Sequence, residues 1–238
     1  MYTQKAMALN IRKITDFDVN TITFSAVRKN DKGGRAVYLN GAGNTKLLFQ
    51  LPQMRAPFGL SEFTDKLSGK TSYSLNVSLD DEQTRNVFQA LDEKVLDFVA
   101  SNSEACLGKK YSKDIMREAL FKSAIKPGKD NYAPTLQLKV LTGRDGKGFA
   151  VEAYNAAKQR VDLSTLEKGQ GVVTIVEVNQ IWFVDNKFGL SIRLQQVLLA
   201  PLNKLKGFSF VDVETTDPTT DDAEEDEIDV PGPSDEDV

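Results

Sequence analysis

Hydrophobic and polar positions alternate with a period of two over most of this chain. Between 71 and 79, Tyr73, Leu75, Val77 and Leu79 fall on one side and Ser74, Asn76 and Ser78 on the other, which predicts a half-buried strand. Residues 5–14 and 20–28, rich in β-branched positions, read as strands joined by a polar turn at 15–18. The segment 29–35 lacks the glycine spacing of a phosphate loop and reads as a hairpin turn. Short strands are expected at 36–39 and 45–51 around the turn 40–44. Leu47, Phe49 and Leu51 would share one face, opposite Lys46, Leu48 and Gln50. Pro52 and Pro57 break any hydrogen-bonded ladder, so 50–63 is expected to be a loop or edge segment.

The period then lengthens. Asp80 is a candidate N-cap with Gln83 at the capping-box distance, and Val87, Leu91, Val95 and Phe98 form one apolar stripe, which predicts a helix ending near Gly108. Cys106, near that end, is expected to be buried. A second helix is expected over 112–124, stopped by Pro127-Gly128. After Pro134 the period of two returns, with Leu136, Leu138 and Val140 opposite Gln137 and Lys139. A hairpin turn at 142–148, a returning strand at 149–154 and a connector at 155–166 follow. The strongest β segment is 171–184, reversed at Asp185-Asn186-Lys187 into 188–200. There Leu190, Ile192, Leu194 and Leu198 would face the core, with Ser191, Arg193 and Gln195 on the other side. There is no internal repeat. Strands, then two helices at about 81–125, then more strands predict a mainly β (α+β) barrel with an inserted helical segment.

Composition changes this picture in two ways. Of 238 residues, 40% are hydrophobic, enough for one core over 1–211 or for two small domains. There is one cysteine, and no apolar run fits a signal peptide or a membrane span, so an intracellular, reducing setting without membrane association is expected. There is no histidine, which removes the commonest general base, the Ser-His and Cys-His pairs and most zinc sites. Carboxylate-bound magnesium stays open, but the acidic residues of the body form no metal motif. The expectation is a protein that is not an enzyme and uses neither metal nor cofactor.

Charge is the second change. Thirteen of the 34 acidic residues lie in 212–238, with none of the 30 basic ones, which leaves 30 basic against 21 acidic residues, a net of about +9, in 1–211. The tail has three prolines and Ile228 as its one large apolar residue between Val213 and Val230, so it is expected to be disordered. A basic body points to a polyanionic partner, and an acidic tail to a competitor for it; a solubilising tail is the plainer alternative.

A single nucleic-acid strand needs cations for its phosphates and exposed rings for its bases. Trp182, Phe183, Lys187 and Arg193 flank one hairpin. Lys139, Arg144 and Lys147 flank the other, near Tyr154, and Lys126, Lys129 and Tyr132 lie in a basic, polar stretch before it. Trp182 and Phe183 point to opposite faces, so at most one of them belongs to the core.

The run GQGVVTIVEVNQIWFVDNKFGLSIRLQQVLLAPL, followed by a short basic linker and an acidic tail, resembles the single-stranded DNA-binding proteins of the phage T-seven type, a family with a version in large DNA viruses of eukaryotes. PTLQLKVL and the basic turn after it follow the same order. The resemblance spans about 130–238, and 1–125 only in outline. It implies an OB-fold-like five-stranded barrel with extra strands, binding of single-stranded DNA without sequence preference in replication, recombination or repair, and a homodimer. It also implies that the tail (Asp221, Asp222, Glu224, Glu225, Asp226, Glu227, Asp235, Glu236, Asp237) recruits the replicative polymerase and helicase-primase. One departure is the terminus, Asp237-Val238, where the phage protein ends in an aromatic residue. Two rival readings are a viral structural or protein-interaction β-domain and a metal-dependent nuclease.

Overall fold

In chain order the strands and helices are β1 (Ile11–Lys13), β2 (Arg35–Asn40), β3 (Leu47–Gln50), β4 (Met54–Ala56), β5 (Leu60–Thr64), β6 (Thr71–Ser78), α1 (Glu82–Ser101), α2 (Ser103–Leu107), β7 (Thr135–Val140), β8 (Glu152–Tyr154), β9 (Gln170–Val184) and β10 (Lys187–Leu199), with shorter pieces between. They come from a computed structural model, which describes residues 10–29, 34–143, 146, 148–202 and 210–211. The fold below is that of the unit Met1–Leu202. No helix among the described residues is long and apolar enough to cross a membrane.

The long hairpin β9–β10 is the spine. Asp185 and Asn186 both take left-handed backbone angles (φ 48° and 63°), the two-residue turn whose twist matches that of paired strands. Along its other edge β9 accepts three short strands in succession: β2 opposite 180–183, β3 opposite 175–178 and β4 opposite 170–172, all antiparallel. The stretch expected to be a loop therefore holds two strands, β4 and β5. Pro52 and Pro57 lie just outside β4, and β5 pairs only with β6, so the prolines remove no ladder bond. The sheet order β1-β3-β9-β10-β7-β6-β5 is mixed, and β4 lies alongside β6, so that β6, β7, β10, β9 and β4 curl back upon themselves. Mainly β architecture with a helical insertion is what the alternation predicted.

Three further expected elements differ. The strand expected to return at 149–154 keeps one isolated bridge, Thr142 to Phe149, and its extended part, β8, pairs in parallel with β10 instead. The strand expected at 20–28 is broken into a 3-10 turn (Val19–Thr21) and pairs at 23–24 and 28–29, because the Asp18 carboxylate accepts from the Asn20 amide at 2.9 Å and closes a turn there. The expected helix at 112–124 ends at Leu120, after which Phe121–Lys122 and Ile125–Lys126 add to β10 and β7. Of the strand expected at 5–14, residues 11–13 are extended, and those before Asn10 lie outside the described residues.

The first helix begins one residue later than expected. Asp81, not Asp80, is its N-cap, accepting from the Thr84 amide at 2.7 Å. Asp81→Ala should lower stability by about 1 kcal/mol, read as a drop in the thermal midpoint. Phe88, Leu91, Val95, Leu96 and Val99 are buried in the core, while Val87 and Phe98 are its half-buried flanks. Cys106 is buried, as expected.

The bulges decide which residues face inward. Ile175 pairs with Gln196 but Val176 with Leu194, so Gln195 is an extra residue on β10. Parity flips there: Leu190, Ile192 and Leu194 are buried, but then Val197 and Leu199 rather than Leu198, which is exposed. A second bulge at Asn179 does the same on β9, burying Val176 and Val178 before it, and Ile181 and Phe183 after it.

Candidate nucleic-acid interface

Strands β7 and β10 run parallel but meet at one register position, Lys139 opposite Arg193. Toward the other end they splay. The gap is floored by 121–126, which pairs Phe121 with Phe188 on one side and Ile125 with Leu136 on the other. The wedge is a groove of about 860 Å³ on the outer face of the sheet. Lys122, Lys126 and Lys139 line it, with Trp182 and Phe63 as outward rings and Gln180, Ser191, Gln137 and Ser74 as polar groups, while Tyr73 and Phe121 border it with their rings packed against the core.

Trp182 is half-buried and stands on this outer face because the bulge at Asn179 turned its parity outward. Its cross-strand partner is Gly189, where a Cβ would come within 2.9 Å of the indole and 2.3 Å of the Lys122 carbonyl. Glycine is thus required for both the ring and the floor segment to approach β10. Phe63 is 67% exposed on the edge strand β5, and Tyr73 meets Phe149 edge-on at 5.1 Å.

Lys139 keeps contact with solvent, yet the groove walls strip part of its hydration. That desolvation, with the charges of Arg193 and then Lys70, pulls its pKa below the usual lysine value. Crowded cations of this kind gain from an anion between them. Across the Arg193 position lies a second, smaller groove of about 330 Å³, lined by Arg28, Tyr38, Lys46, Glu177, Asn179 and Arg193. The Arg28 guanidinium sits 5.5 Å from the Tyr38 ring centroid.

The floor is tied to the helix. Ser123 donates a short hydrogen bond to the Asp92 carboxylate on α1 and accepts from the Ile125 amide at 2.9 Å. Burial pushes Asp92 up to about 6, with the Ser123 hydrogen bond pulling the other way and Glu93 adding to the rise.

Of the site residues read from the sequence, Trp182, Lys139, Lys126 and Arg193 line the two grooves, and Lys187, opposite Val184, shares their face. Phe183 does not. It is buried and stacked on Phe188 at 6.0 Å, on the inner side of the strand, so its ring is closed to a base. Tyr132 is 76% exposed in the loop after Lys126, beside the exposed Lys129, but lines neither groove. Gly128 permits that loop, since a Cβ there would fall 1.8 Å from the Tyr132 carbonyl oxygen. Tyr154 is far away: it pairs with Leu198, nine residues along β10 from Gly189, roughly 30 Å at about 3.3 Å per residue, and donates to Glu152 at 3.0 Å. Arg144, Lys147 and the tail carboxylates lie outside the described residues. Sequence reasoning missed Lys122, Tyr38, Arg28 and Lys46. Parity marks Tyr38 as opposite Val37 and Leu39, but nothing local brings it to the hairpin 140 residues later.

Among the described residues no cluster of three or more His, Cys, Asp or Glu could hold a metal ion. The chain is similar in structure to the single-stranded DNA-binding protein from bacteriophage Enc34 in complex with ssDNA, with 12% identity over 76% of this chain and 98% of that one, at a TM-score of 0.42. The same phage protein without DNA gives 13% identity, 80% and 96% coverage and a TM-score of 0.40. No curated protein matches the sequence. Residues 65–212, which include β6, both helices, the groove floor and the β9–β10 spine, match the model described as a family of unknown function (DUF5871), and the chain belongs to that family.

Proposed function

We propose that this protein binds single-stranded DNA without a defined sequence, by phosphate contacts and base stacking in the outer-face groove, and that it is not an enzyme. The observation that carries the reading is the wedge between β7 and β10, where Trp182 and three lysines line one open channel. A duplex hides its base faces and offers phosphates alone. An unpaired strand offers both, and each base stacked on a ring contributes about 1–3 kcal/mol. The curled five-strand path is read as an OB-fold-like barrel, and the T-seven-type resemblance as distant kinship.

The tail at 212–238 is proposed to compete with DNA for the groove when no strand is bound and to recruit a replicative polymerase and helicase-primase when displaced. A homodimer in an intracellular, reducing setting belongs to the same proposal. The charge contrast within the sequence supports the competition.

The decisive experiment is a gel shift comparing single- and double-stranded DNA. A marked preference for single strands is expected; equal or absent binding overturns the reading. A salt titration measures the phosphate part. Lys122, Lys126 and Lys139 each neutralising one phosphate give a slope of log affinity on log salt of about −2, at about −0.7 per contact. A flat titration argues against phosphate binding. Deleting 212–238 should tighten DNA binding and abolish the polymerase contact, and unchanged affinity removes the competition model.

A further inference from the structure

Two residues that line the smaller groove each carry a buried polar atom with no hydrogen-bond partner among the described residues, an acceptor, Asn179 Oδ1, and a donor, Arg193 Nε. Buried groups of this kind are paired in folded proteins unless a ligand or water completes them. The orientation of Asn179 is fixed, because its Nδ2 donates to Glu177 Oε1 at 3.1 Å and a carboxylate can only accept. Asn179 is 9% exposed and Glu177 5%. Glu177 is held in place by Gln195 at 2.8 Å and by Lys46 at 3.6 Å. The bulge at Asn179 is what brings both side chains to this groove.

Resting on the proposed single-strand reading, we infer that this groove is a base-edge pocket that favours bases carrying an exocyclic amino group beside an acceptor ring nitrogen, cytosine and adenine, over thymine. The buried carboxylate excludes phosphate as the occupant, since an anion there would meet Glu177. It suits an amino group, which has two hydrogens to give. One goes to Asn179 Oδ1 and the other to a free lone pair of Glu177. Arg193 Nε–H then meets the adjacent ring nitrogen of cytosine or adenine. Thymine presents a carbonyl where the amino group would be and turns that oxygen toward the Asn179 oxygen and the carboxylate. Tyr38, with Arg28 against its ring, supplies an aromatic wall for the base.

The test is a fluorescence anisotropy titration of the full-length protein at neutral pH with labelled oligo-dC and oligo-dT of equal length. Oligo-dC is expected to bind about two- to tenfold more tightly, the range of one net hydrogen bond. A strand of the cytosine analogue lacking the amino group should bind like oligo-dT, and Asn179→Leu should equalise the two natural strands. Equal binding of oligo-dC and oligo-dT by the unaltered protein overturns the pocket while leaving single-strand binding intact. So does a preference that survives in the analogue. Absence of binding to either strand instead defeats the functional reading on which the pocket rests.

Discussion

Trp182→Ala will weaken binding to a single strand by about 1–3 kcal/mol, a factor of about 5 to 150 in affinity. The indole is the largest ring in the groove, and it lies on the outer face over Gly189, where the core does not depend on it. Trp182→Phe should recover most of the loss, because a smaller ring still stacks. Trp182 is the one tryptophan in the chain, so the unaltered protein carries its own reporter, and its fluorescence should be quenched by oligo-dT. If the alanine variant keeps full affinity while folding normally, the groove is not where bases stack. Gly189→Ala offers an independent check. A Cβ there collides with the indole and the floor carbonyl, so it should reduce affinity without removing any ring or charge.

The largest expected change in stability is a gain. Asp92→Asn should stabilise the protein at pH 7 by about 3 kcal/mol, because the native carboxyl titrates at about 6 against 3.8 for an unburied one. The raised value means that the folded state binds the proton more tightly. Below about pH 3 both states are protonated and Asp92 carries no penalty. Between about pH 4 and 6 the unfolded chain releases the proton first, so stability falls as pH rises. Above about 6 the whole penalty of a buried carboxylate is present. Asparagine keeps an oxygen to accept from Ser123 and never ionises. The difference between variant and parent, from urea unfolding, should therefore grow from near zero at about pH 3 to its full value by about pH 7. A difference that does not vary with pH would show that burial is not what raises this group. Because asparagine keeps the hydrogen bond that holds Ser123 on the groove floor, the same substitution should leave DNA binding at neutral pH nearly unchanged.

A strand's parity is legible in sequence only while the strand is regular. The β9–β10 hairpin, its turn at Asp185-Asn186, the strands β6 and β7 and the stripe of α1 all follow from local period and turn chemistry, since each residue's neighbours along the chain decide its face. The basic body and acidic tail are equally a property of the sequence alone. The two bulges are not. An extra residue is tolerated because of what pairs across from it, so Leu198 was expected inside and is outside, and Phe183 is sealed in the core while Trp182 is not.

The grooves belong to the same category. Lys122, Tyr38 and Trp182 are distant in sequence and meet through sheet pairing, and the wedge exists only because β7 and β10 touch at one residue pair and then diverge. Local composition thus determined the strands, the helix and the charge contrast. Long-range pairing decided which cations and rings share a surface, because burial and facing are set by contacts between segments that the chain brings together only on folding.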